Sequence, residues 1–408
     1  MFYDFGNSAF TTLVVTFIFS AWFTQGIASD PERGTVLWSY AVNLSSILVA
    51  LSAPLLGAAA DASGRRRGFL VSMTAACVLA TTMLFFPQRG DVALALFAFV
   101  IGNFAFESAI VFYNAYLPEV STGSNIGRVS GAGQALGYVG GLLCLVLALG
   151  MIRGGWVTDS NDLAVRSTNL LVAGWYALFA LPFLLMASAK PLPGRARDTV
   201  HGAGKRLRAT ARHLGRYRQT VRLLVARLIY NDGLVTVFAF AAIYAAAVFG
   251  MTATDLIIMG IAINLASALG SWSFGFVDDR IGGKKTIAIT LVVLIGVTAI
   301  GSTTESRSVF WVVALILGAM VGPNQAASRS LLGSFTPPSK RSEWFGFFAF
   351  SGRLASVAGP LTYGLIIGST GSQRVAMGSI VAFFAVGLLI LLTVDEREGK
   401  EAAVAAEI

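Results

Sequence analysis

The chain has 408 residues, of which 55% are hydrophobic and 12% are charged, and its mean hydropathy is +0.72. A soluble domain carries roughly 25% charged residues, and apolar runs of about 20 residues, long enough to cross a bilayer, recur here from end to end. These values exclude an ordinary soluble protein, and the continuous runs lack the alternation of an outer-membrane barrel. The net charge of +9 is read as a topology signal, so we expect no nucleic-acid partner.

Twelve apolar spans follow one another along the chain, with one long polar segment between the sixth and the seventh. They predict an all-α polytopic membrane protein with twelve transmembrane helices. No cleavable signal precedes the first span, which we expect to act as its own insertion signal. The predicted spans are Ser8–Ile27, Val36–Ala60, Phe69–Phe86, Val92–Tyr116, Val129–Met151, Ser167–Met186, Val221–Phe249, Asp255–Val277, Thr286–Gly301, Val309–Leu332, Trp344–Ile367 and Ala376–Val394.

The polar segment divides the chain into two predicted six-helix bundles, residues 1–189 and 223–396. The linker at 190–222 is basic, and it is either a connection that sets the topology or an amphipathic helix on anionic lipid. The tail, predicted at 397–408 and expected to be disordered from Asp395 onward, follows the second bundle. The pattern predicts an inner, cytoplasmic-membrane protein with both termini in the cytoplasm, because 22 of the 30 Lys and Arg residues then lie inside and six lie outside.

A short charged loop occurs twice, after the second span and after the eighth span. Each copy reads Gly, three residues, Asp, two residues, Gly and then basic residues, and the two Asp residues lie 218 positions apart. Repeats of this kind indicate two related halves. A carboxylate at this place can accept hydrogen bonds from the start of a neighbouring helix, so we predict a gating role. The gating candidates are Asp61, Gly64, Arg65 and Arg66 in the first loop, and Asp279, Arg280, Gly282 and Lys284 in the second loop.

Small residues recur every four positions in two spans that occupy matching places in the two halves. In the fifth span they are Gly133, Gly137 and Gly141, and in the eleventh span the series begins at Gly352 and continues to Gly368. Such stripes allow helices to approach closely in lipid. We expect the matched pair to mark surfaces where the two bundles meet.

Enzyme signatures are absent from the sequence: it contains neither H-E-x-x-H, nor G-x-S-x-G, nor a Walker A loop. Both histidines, His201 and His213, lie in the linker, which excludes a histidine-based site in the membrane. The two cysteines, Cys77 and Cys144, lie inside apolar spans without a disulfide or metal-ligand pattern. We therefore expect no enzymatic activity, no metal and no cofactor.

Ionisable groups inside spans are costly and usually mark a transport pathway. Glu107, Asp232 and Arg353 lie at similar depths, where a water-filled cavity would accommodate them. Asn103 and Asn114 have spacings of four and seven residues from Glu107, which places them on its helix face. Arg227 and Arg329 lie nearer the span ends, where snorkelling explains them at least as well as a site role. The site candidates are Asn103, Glu107, Asn114, Asn231, Asp232, Asn324, Gln325 and Arg353.

The twelve spans, the duplicated loop and the central basic linker resemble the major facilitator superfamily, although Ala62 in the first loop departs from its usual Asp-Arg. Longer motifs are similar to the vacuole-effluxer-like branch, the bacterial relatives of the fungal autophagy-linked amino-acid effluxer. The signature usually begins further from the start of the chain in that branch, which points to a trimmed N-terminus. The matching motifs are Tyr3–Phe10, Phe112–Pro118, Arg128–Gly131, Tyr230–Gly233 and Gln325–Ser330.

The resemblance implies the major facilitator fold and alternating access between two pseudo-symmetric bundles. We expect a monomeric secondary transporter that exports a small polar or zwitterionic solute, such as an amino acid, coupled to protons. A cavity with both carboxylate and guanidinium groups suits a zwitterion. Two alternatives stay open: a proton-linked drug exporter, and a receptor or scaffold that kept the fold without transport.

Overall fold

The computed structural model describes residues 1–155, 157, 161–187, 202–212, 214–356 and 358–406. Every regular element within these residues is helical, and ten helices there are long and apolar enough to span a membrane. The predicted third span falls on an 18-residue helix, Arg66–Met83, whose first turn carries two arginines. The predicted eleventh span is divided between two shorter helices. His201, His213 and most of the linker before Gly202 lie outside the described residues.

The first half, residues 1–187, begins with an irregular span in which short α-helices alternate with π-helical segments at Phe10–Phe17 and Phe23–Ile27. Wide turns of this kind are rare and occur frequently at functional sites. The α-helices of this half are α1 (Phe2–Ala9), α2 (Phe19–Trp22), α3 (Pro31–Ser63), α4 (Arg66–Met83), α5 (Val92–Asn114), α6 (Leu117–Val120), α7 (Ile126–Arg153) and α8 (Leu163–Met186).

The second half, residues 218–405, follows the connecting helix α9 (Ala203–Arg212), which packs against α3. The three-residue loop between its first two helices ends at a capping box, in which Thr252 and Asp255 satisfy each other's backbone N–H groups at the start of a helix. The helices of this half are α10 (Arg218–Phe249), α11 (Ala253–Ile281), α12 (Gly283–Thr303), α13 (Arg307–Phe335), α14 (Arg341–Leu354), α15 (Ala358–Thr370), α16 (Gln373–Leu392) and α17 (Glu396–Ala405).

The buried apolar side chains form two main clusters, one in each half. The first cluster runs from Tyr3 to Ala187. The second runs from Leu223 to Val394, and it also takes in four residues of the first half. These are Val49 and Ala53 of α3, Val111 of α5 and Ala115 directly after α5, so part of the boundary between the halves is packed like a core.

The expectation of one continuous eleventh span is wrong, because α14 ends at Leu354, the described residues Ala355 and Ser356 form a turn, and α15 begins at Ala358. Pro360 favours a break here, since it has no N–H group to donate and its ring would clash with the carbonyl group four residues earlier. Gly359 allows the broken backbone to approach α10 closely, since a Cβ atom there would lie 2.0 Å from the Thr236 hydroxyl oxygen. The break places Arg353 in the last turn of α14.

The two halves meet tightly at the end of the molecule that carries the Asp61 and Asp279 loops, called the basic end below. There α3 packs on α14, and α7 packs on α11. A Cβ atom at Gly57 would lie 2.1 Å from the Ser342 carbonyl oxygen, and one at Gly131 would lie 2.3 Å from the Ser271 carbonyl oxygen. At the other end α15 packs chiefly on α10 and α16, which belong to its own half. The basic end is therefore closed in this conformation.

The expectation that the small-residue stripes meet across the halves is wrong. Positions 133, 137 and 141 face α1 and the π-helical segment after it, where their nearest neighbours include Asp4, Ser8 and Thr12. In the eleventh span Gly352 faces Arg227 of α10, and a Cβ atom at Gly364 would meet no other atom within 4 Å. The stripes thus allow close packing within each half, whereas other glycines serve the contact between halves.

The tail also differs from the prediction of disorder, because Glu396–Ala405 forms α17. Asp395 caps this helix by accepting hydrogen bonds from the backbone N–H groups of Arg397 and Glu398. Glu398 accepts a hydrogen bond of 2.7 Å from the side chain of Gln219. A sequence that is polar on its own is thus ordered by a cap and by contacts with α10.

Candidate functional site

An acid and an arginine from different halves meet within the membrane-spanning part of the molecule. Arg353, at the end of α14, forms an ion pair with Glu107 of α5. Their side chains are 28% and 19% exposed, so neither group is fully enclosed by the protein. Charges at this depth are tolerated when they are paired and when they line a cavity. The sequence placed these two residues at a similar depth, and the structure brings them into direct contact.

Asp232 lies apart from this ion pair, at the break in the eleventh span. Its carboxylate faces the first backbone N–H groups of α15, at Ala358 and Gly359. The residue is 4% exposed. The start of a helix carries a partial positive charge that stabilises a nearby carboxylate. Broken helices in membrane proteins commonly present such ends to a solute or an ion.

The predicted amide residues separate into four kinds of environment. Asn103 and Asn324 are buried and donate hydrogen bonds within their own halves, to Ser45 at 2.7 Å and to Thr290 at 2.9 Å. Asn231 donates to the Gly352 carbonyl oxygen at 3.5 Å, close to the break. Gln325 is exposed. The remaining residue, Asn114, belongs to a second polar group at the basic end.

This second group, called the basic-end cluster below, consists of Asp4, Tyr113, Asn114, Ser130 and Arg329. The Arg329 guanidinium donates to the Ser130 carbonyl oxygen at 2.7 Å, to the Ser130 hydroxyl at 3.0 Å and to the Asn114 side chain at 3.2 Å. It also lies 3.8 Å from the Asp4 carboxylate, to which the Tyr113 hydroxyl donates. Arg329 comes from the second half and the other four residues from the first.

Sequence reasoning missed Asp4 as a site residue and allowed snorkelling for Arg329. The signal was available in the motifs Tyr3–Phe10 and Gln325–Ser330, which were used only for the family resemblance. Arg227 likewise points inward, since its guanidinium donates to the Phe348 carbonyl oxygen at 2.8 Å and to the Ser351 hydroxyl at 2.9 Å. Arginines near span ends thus point toward neighbouring helices here instead of toward the membrane surface.

The first loop contacts the start of α14. The Asp61 carboxylate accepts a hydrogen bond of 2.9 Å from the Glu343 backbone N–H, and it lies 3.1 Å from the Arg66 guanidinium. Arg66 also donates to the Ser342 hydroxyl at 2.8 Å and pairs with Glu119. Glu119 in turn lies 3.1 Å from Arg341 of the second half. The loop is therefore part of a charged network across the boundary.

The second loop contacts the start of α7 in the same way. The Asp279 carboxylate accepts a hydrogen bond of 2.8 Å from the Gly127 backbone N–H and lies 2.5 Å from Nε of Arg128. The backbone N–H of Lys284 donates to Glu396 at 3.2 Å, and its ammonium group donates to the Leu392 carbonyl oxygen at 2.9 Å. Each loop carboxylate thus binds a helix start of the opposite half.

Four further loop residues have simpler roles. Gly64 ends α3 with φ at +64°, and Gly282 separates α11 from α12 with φ at +90°. Both values lie in the region that favours glycine, which explains why each loop carries one there. Arg65 and Arg280 are exposed at the basic end.

A family model described as "Vacuole effluxer Atg22 like" matches residues 34–126 and 121–404. The chain belongs to this Atg22-like family. One relative, the uncharacterized MFS-type transporter YxiO of Bacillus subtilis, is 26% identical across 98% of this chain and 94% of its own. Autophagy-related protein 22 of Yarrowia lipolytica is 22% identical across 89% of this chain and 76% of its own. The predicted family is confirmed.

Solved structures of the same fold have low sequence identity. The major facilitator transporter FucP in its outward conformation matches with a TM-score of 0.78 at 13% identity, covering 97% of each chain. The human organic anion transporter MFSD10 matches with a TM-score of 0.70 at 15% identity, covering 96% of this chain and 97% of that one. The Atg22-like chain is therefore a polytopic membrane transporter with the major facilitator fold, as the sequence predicted.

Proposed function

We propose that this transporter moves a small zwitterionic or polar solute of the amino-acid class across the cytoplasmic membrane by alternating access, coupled to protons and in the direction of export. The observation that carries this proposal is the ion pair between Glu107 and Arg353. It joins the two halves within the membrane, and neither side chain is fully enclosed by the protein.

A zwitterion is the solute that can replace this pair without leaving a buried charge alone. Its carboxylate would bind Arg353, and its ammonium would bind Glu107 or Asp232. When the ammonium binds Glu107, each charge exchanges one partner for another. A singly charged solute would leave one group of the pair unpaired and a neutral solute would leave both, at a cost of several kcal/mol. The family description "vacuole effluxer" supports export.

Alternating access requires contacts that exist in one state and not in the other. The contacts of Asp61 and Asp279 with the opposite half have this property, because they require a closed basic end. We assign this end to the cytoplasm, together with both termini, because the Lys and Arg residues concentrate in its loops. A cysteine replacing exposed Arg65, in a chain without Cys77 and Cys144, should react with an impermeant reagent only from the cytoplasmic side.

Transport of amino acids is tested by a thermal-shift screen followed by flux in proteoliposomes. A ligand at about 100 times its dissociation constant stabilises the fold by about 2.7 kcal/mol. Amino acids, peptides, sugars and hydrophobic drugs should be compared in parallel. If only drugs stabilise the protein and are carried, the drug-exporter alternative replaces the proposal. If a bound compound is never carried, the protein is a receptor or scaffold.

Proton coupling is tested with Glu107→Gln, which keeps the shape of the side chain and removes its charge. We expect transport driven by a pH gradient to be lost, while exchange of solute across the membrane remains. The measurement is uptake in proteoliposomes with and without the gradient, with wild type beside the variant. A variant that still concentrates solute in response to the gradient would assign Glu107 a structural role.

A further inference from the structure

The molecule contains a second acid–arginine arrangement between the halves, at the basic end. In the central pair Glu107 of α5 meets Arg353 of α14, and in the basic-end cluster Asp4 of α1 faces Arg329 of α13. In both cases the first half supplies the acid and the second half supplies the arginine. The central pair is in direct contact, whereas 3.8 Å separates the nearest atoms of Asp4 and Arg329.

The basic-end cluster borders a cavity of about 260 Å³. Pockets for drug-sized ligands measure about 300–1,000 Å³, so this cavity suits a smaller solute. One part of its wall carries the charged and polar groups of the cluster. Another part is apolar and is formed by Leu117, Val129 and Phe183. This combination suits a solute that has two charged groups and one apolar side chain.

The Asp4 carboxylate retains the capacity to bind a cation. One of its oxygens accepts from Tyr113, and Arg329 lies beyond hydrogen-bond distance at 3.8 Å. The amino group of Met1 lies 3.7 Å away. A carboxylate accepts about four hydrogen bonds when it is fully satisfied. A primary ammonium could therefore be added here without displacing Tyr113.

Arg329 is bonded in the closed conformation and loses its partners when the basic end opens. All three of its hydrogen bonds go to the opposite half, to Ser130 and Asn114. Separation of the halves would break these bonds and expose a guanidinium without a partner. A solute carboxylate can then replace them, and binding of this kind favours the open state because it is specific to that state.

We propose that the basic-end cluster is a second binding site for the transported solute, used when the basic end is open. Asp4 binds the ammonium group of the solute, Arg329 binds its carboxylate, and the apolar wall receives its side chain. This inference rests on the proposed amino-acid transport. It adds that the solute passes two acid–arginine sites in sequence. The central site is reached from either side of the membrane, and the second site is reached only from the side of the basic end.

The test compares KM from the two sides of the membrane. Right-side-out and inverted vesicles present opposite faces, and the probes are radiolabelled L-leucine, L-alanine and glycine, each measured separately. In Asp4→Asn and Arg329→Gln we expect KM from the basic side to rise roughly tenfold or more, because each variant removes a charge-assisted contact. From the opposite side KM should change less than twofold. Arg89→Gln is the matched control, because Arg89 is 79% exposed in a loop at the other end of the molecule.

The outcomes separate this inference from the proposal on which it rests. A rise in KM from both sides, or from neither, would show that the cluster only supports the structure, while amino-acid transport by the wild type would stand. If the wild type carries none of the three probes, transport of neutral amino acids fails and this site assignment fails with it. A version extended by two residues before Met1 should give the same sided result, since the proposal assigns no role to the Met1 amino group.

Discussion

The two charged loops share a sequence pattern and a backbone contact, but they differ in where their ion pairs lie. In the first loop Asp61 is buried and pairs with Arg66 of its own half, and the ion pair across the halves is between Glu119 and Arg341. In the second loop Asp279 itself pairs across the halves with Arg128, whose side chain is 48% exposed. The duplicated pattern thus preserves the hydrogen bond to a helix start, and each half surrounds that bond differently.

This difference suggests that the first contact contributes more to closure of the basic end. The hydrogen bond from the Glu343 N–H to Asp61 is buried, whereas the one from the Gly127 N–H to Asp279 is only partly buried. A buried hydrogen bond to a charged group contributes about 1.5–3 kcal/mol, and the exposed ion pair of Asp279 with Arg128 adds only about 0–1 kcal/mol. The first loop has Ala62 at the position that Arg280 occupies in the second loop, which agrees with this ranking of the two contacts. Arg280 is exposed in the second loop. The departure of the first loop from the usual pattern therefore leaves its contact with the opposite half intact.

The largest loss of the closed state is expected from overpacking at the helix contacts beside the two loops. The loss should be equal at the two places. Gly57→Val and Gly131→Val each place a side chain against a backbone oxygen, at 2.1 and 2.3 Å. Overpacking costs about 1–3 kcal/mol, so the ratio of closed to open molecules should fall by about fivefold or more in either variant. Spin labels at exposed Ser124 and Lys285, which lie in opposite halves, would report the distance between the halves by pulsed electron paramagnetic resonance. Unchanged distances in both variants would contradict a closed basic end.

Asp61→Asn should have the next largest effect. The amide can still accept from the Glu343 N–H, but the charge that strengthens this buried hydrogen bond is lost. We expect closure to weaken by about 2 kcal/mol and turnover to slow. The same spin labels measure the populations, and solute flux measures turnover. Equal spin-label distances in the variant and the wild type would show that the first loop sets the topology and does not stabilise the closed state.

Asp279→Asn should shift the populations in the same direction and by less, about 1 kcal/mol, because its partner Arg128 is exposed. High salt should reduce the difference from wild type, since screening already weakens an exposed pair. The populations of the Asp61 variant should respond less to salt. A larger effect at Asp279 than at Asp61 would reverse the proposed ranking of the two contacts.

The smallest effect concerns α17, which lies beside the second loop. Hydrogen bonds from the backbone N–H groups of Glu398 and Arg397 lower the pKa of Asp395 below its ordinary value of 3.8. The carboxylate therefore stabilises α17 above that value and loses this effect as the pH falls through the lowered pKa. Asp395→Ala should speed amide exchange at residues 397–399, and Asp395→Asn, which keeps a cap, should not. Equal exchange in the two variants would argue against the cap.

Much of the fold could be predicted from hydropathy and the repeat, because span length and loop charge are local properties of the sequence. The break after Leu354 was missed because Pro360 alone does not end a membrane helix, and the close approach of Gly359 to Thr236 depends on the neighbouring helix. Glu107 and Arg353 were selected as candidates because isolated charges are conspicuous in apolar spans.

Other side-chain contacts depended on packing that the sequence does not specify. Asn103 shares a helix face with Glu107, and this spacing suggested that it lines a cavity, but Ser45 of α3 binds its side chain. Asp4 and Arg329 lie near span ends, where the membrane surface offers an easy alternative partner. Only the arrangement of α1, α7 and α13 brings Asp4 close to Arg329.

The break between α14 and α15 has a consequence for leakage. The part of this span at the basic end, α14, packs on α3 of the opposite half. The other part, α15, packs on α10 and α16 of its own half. Because two short helices can move one after the other, we expect the end of the pathway opposite the basic end to close over a solute before the contacts at the basic end separate. The carrier would then pass through a stage that is closed at both ends, without a continuous water path. In the absence of solute, we expect vesicles containing the protein to keep a pH gradient for as long as protein-free vesicles do. A pH-sensitive dye inside the vesicles would measure the decay of the gradient.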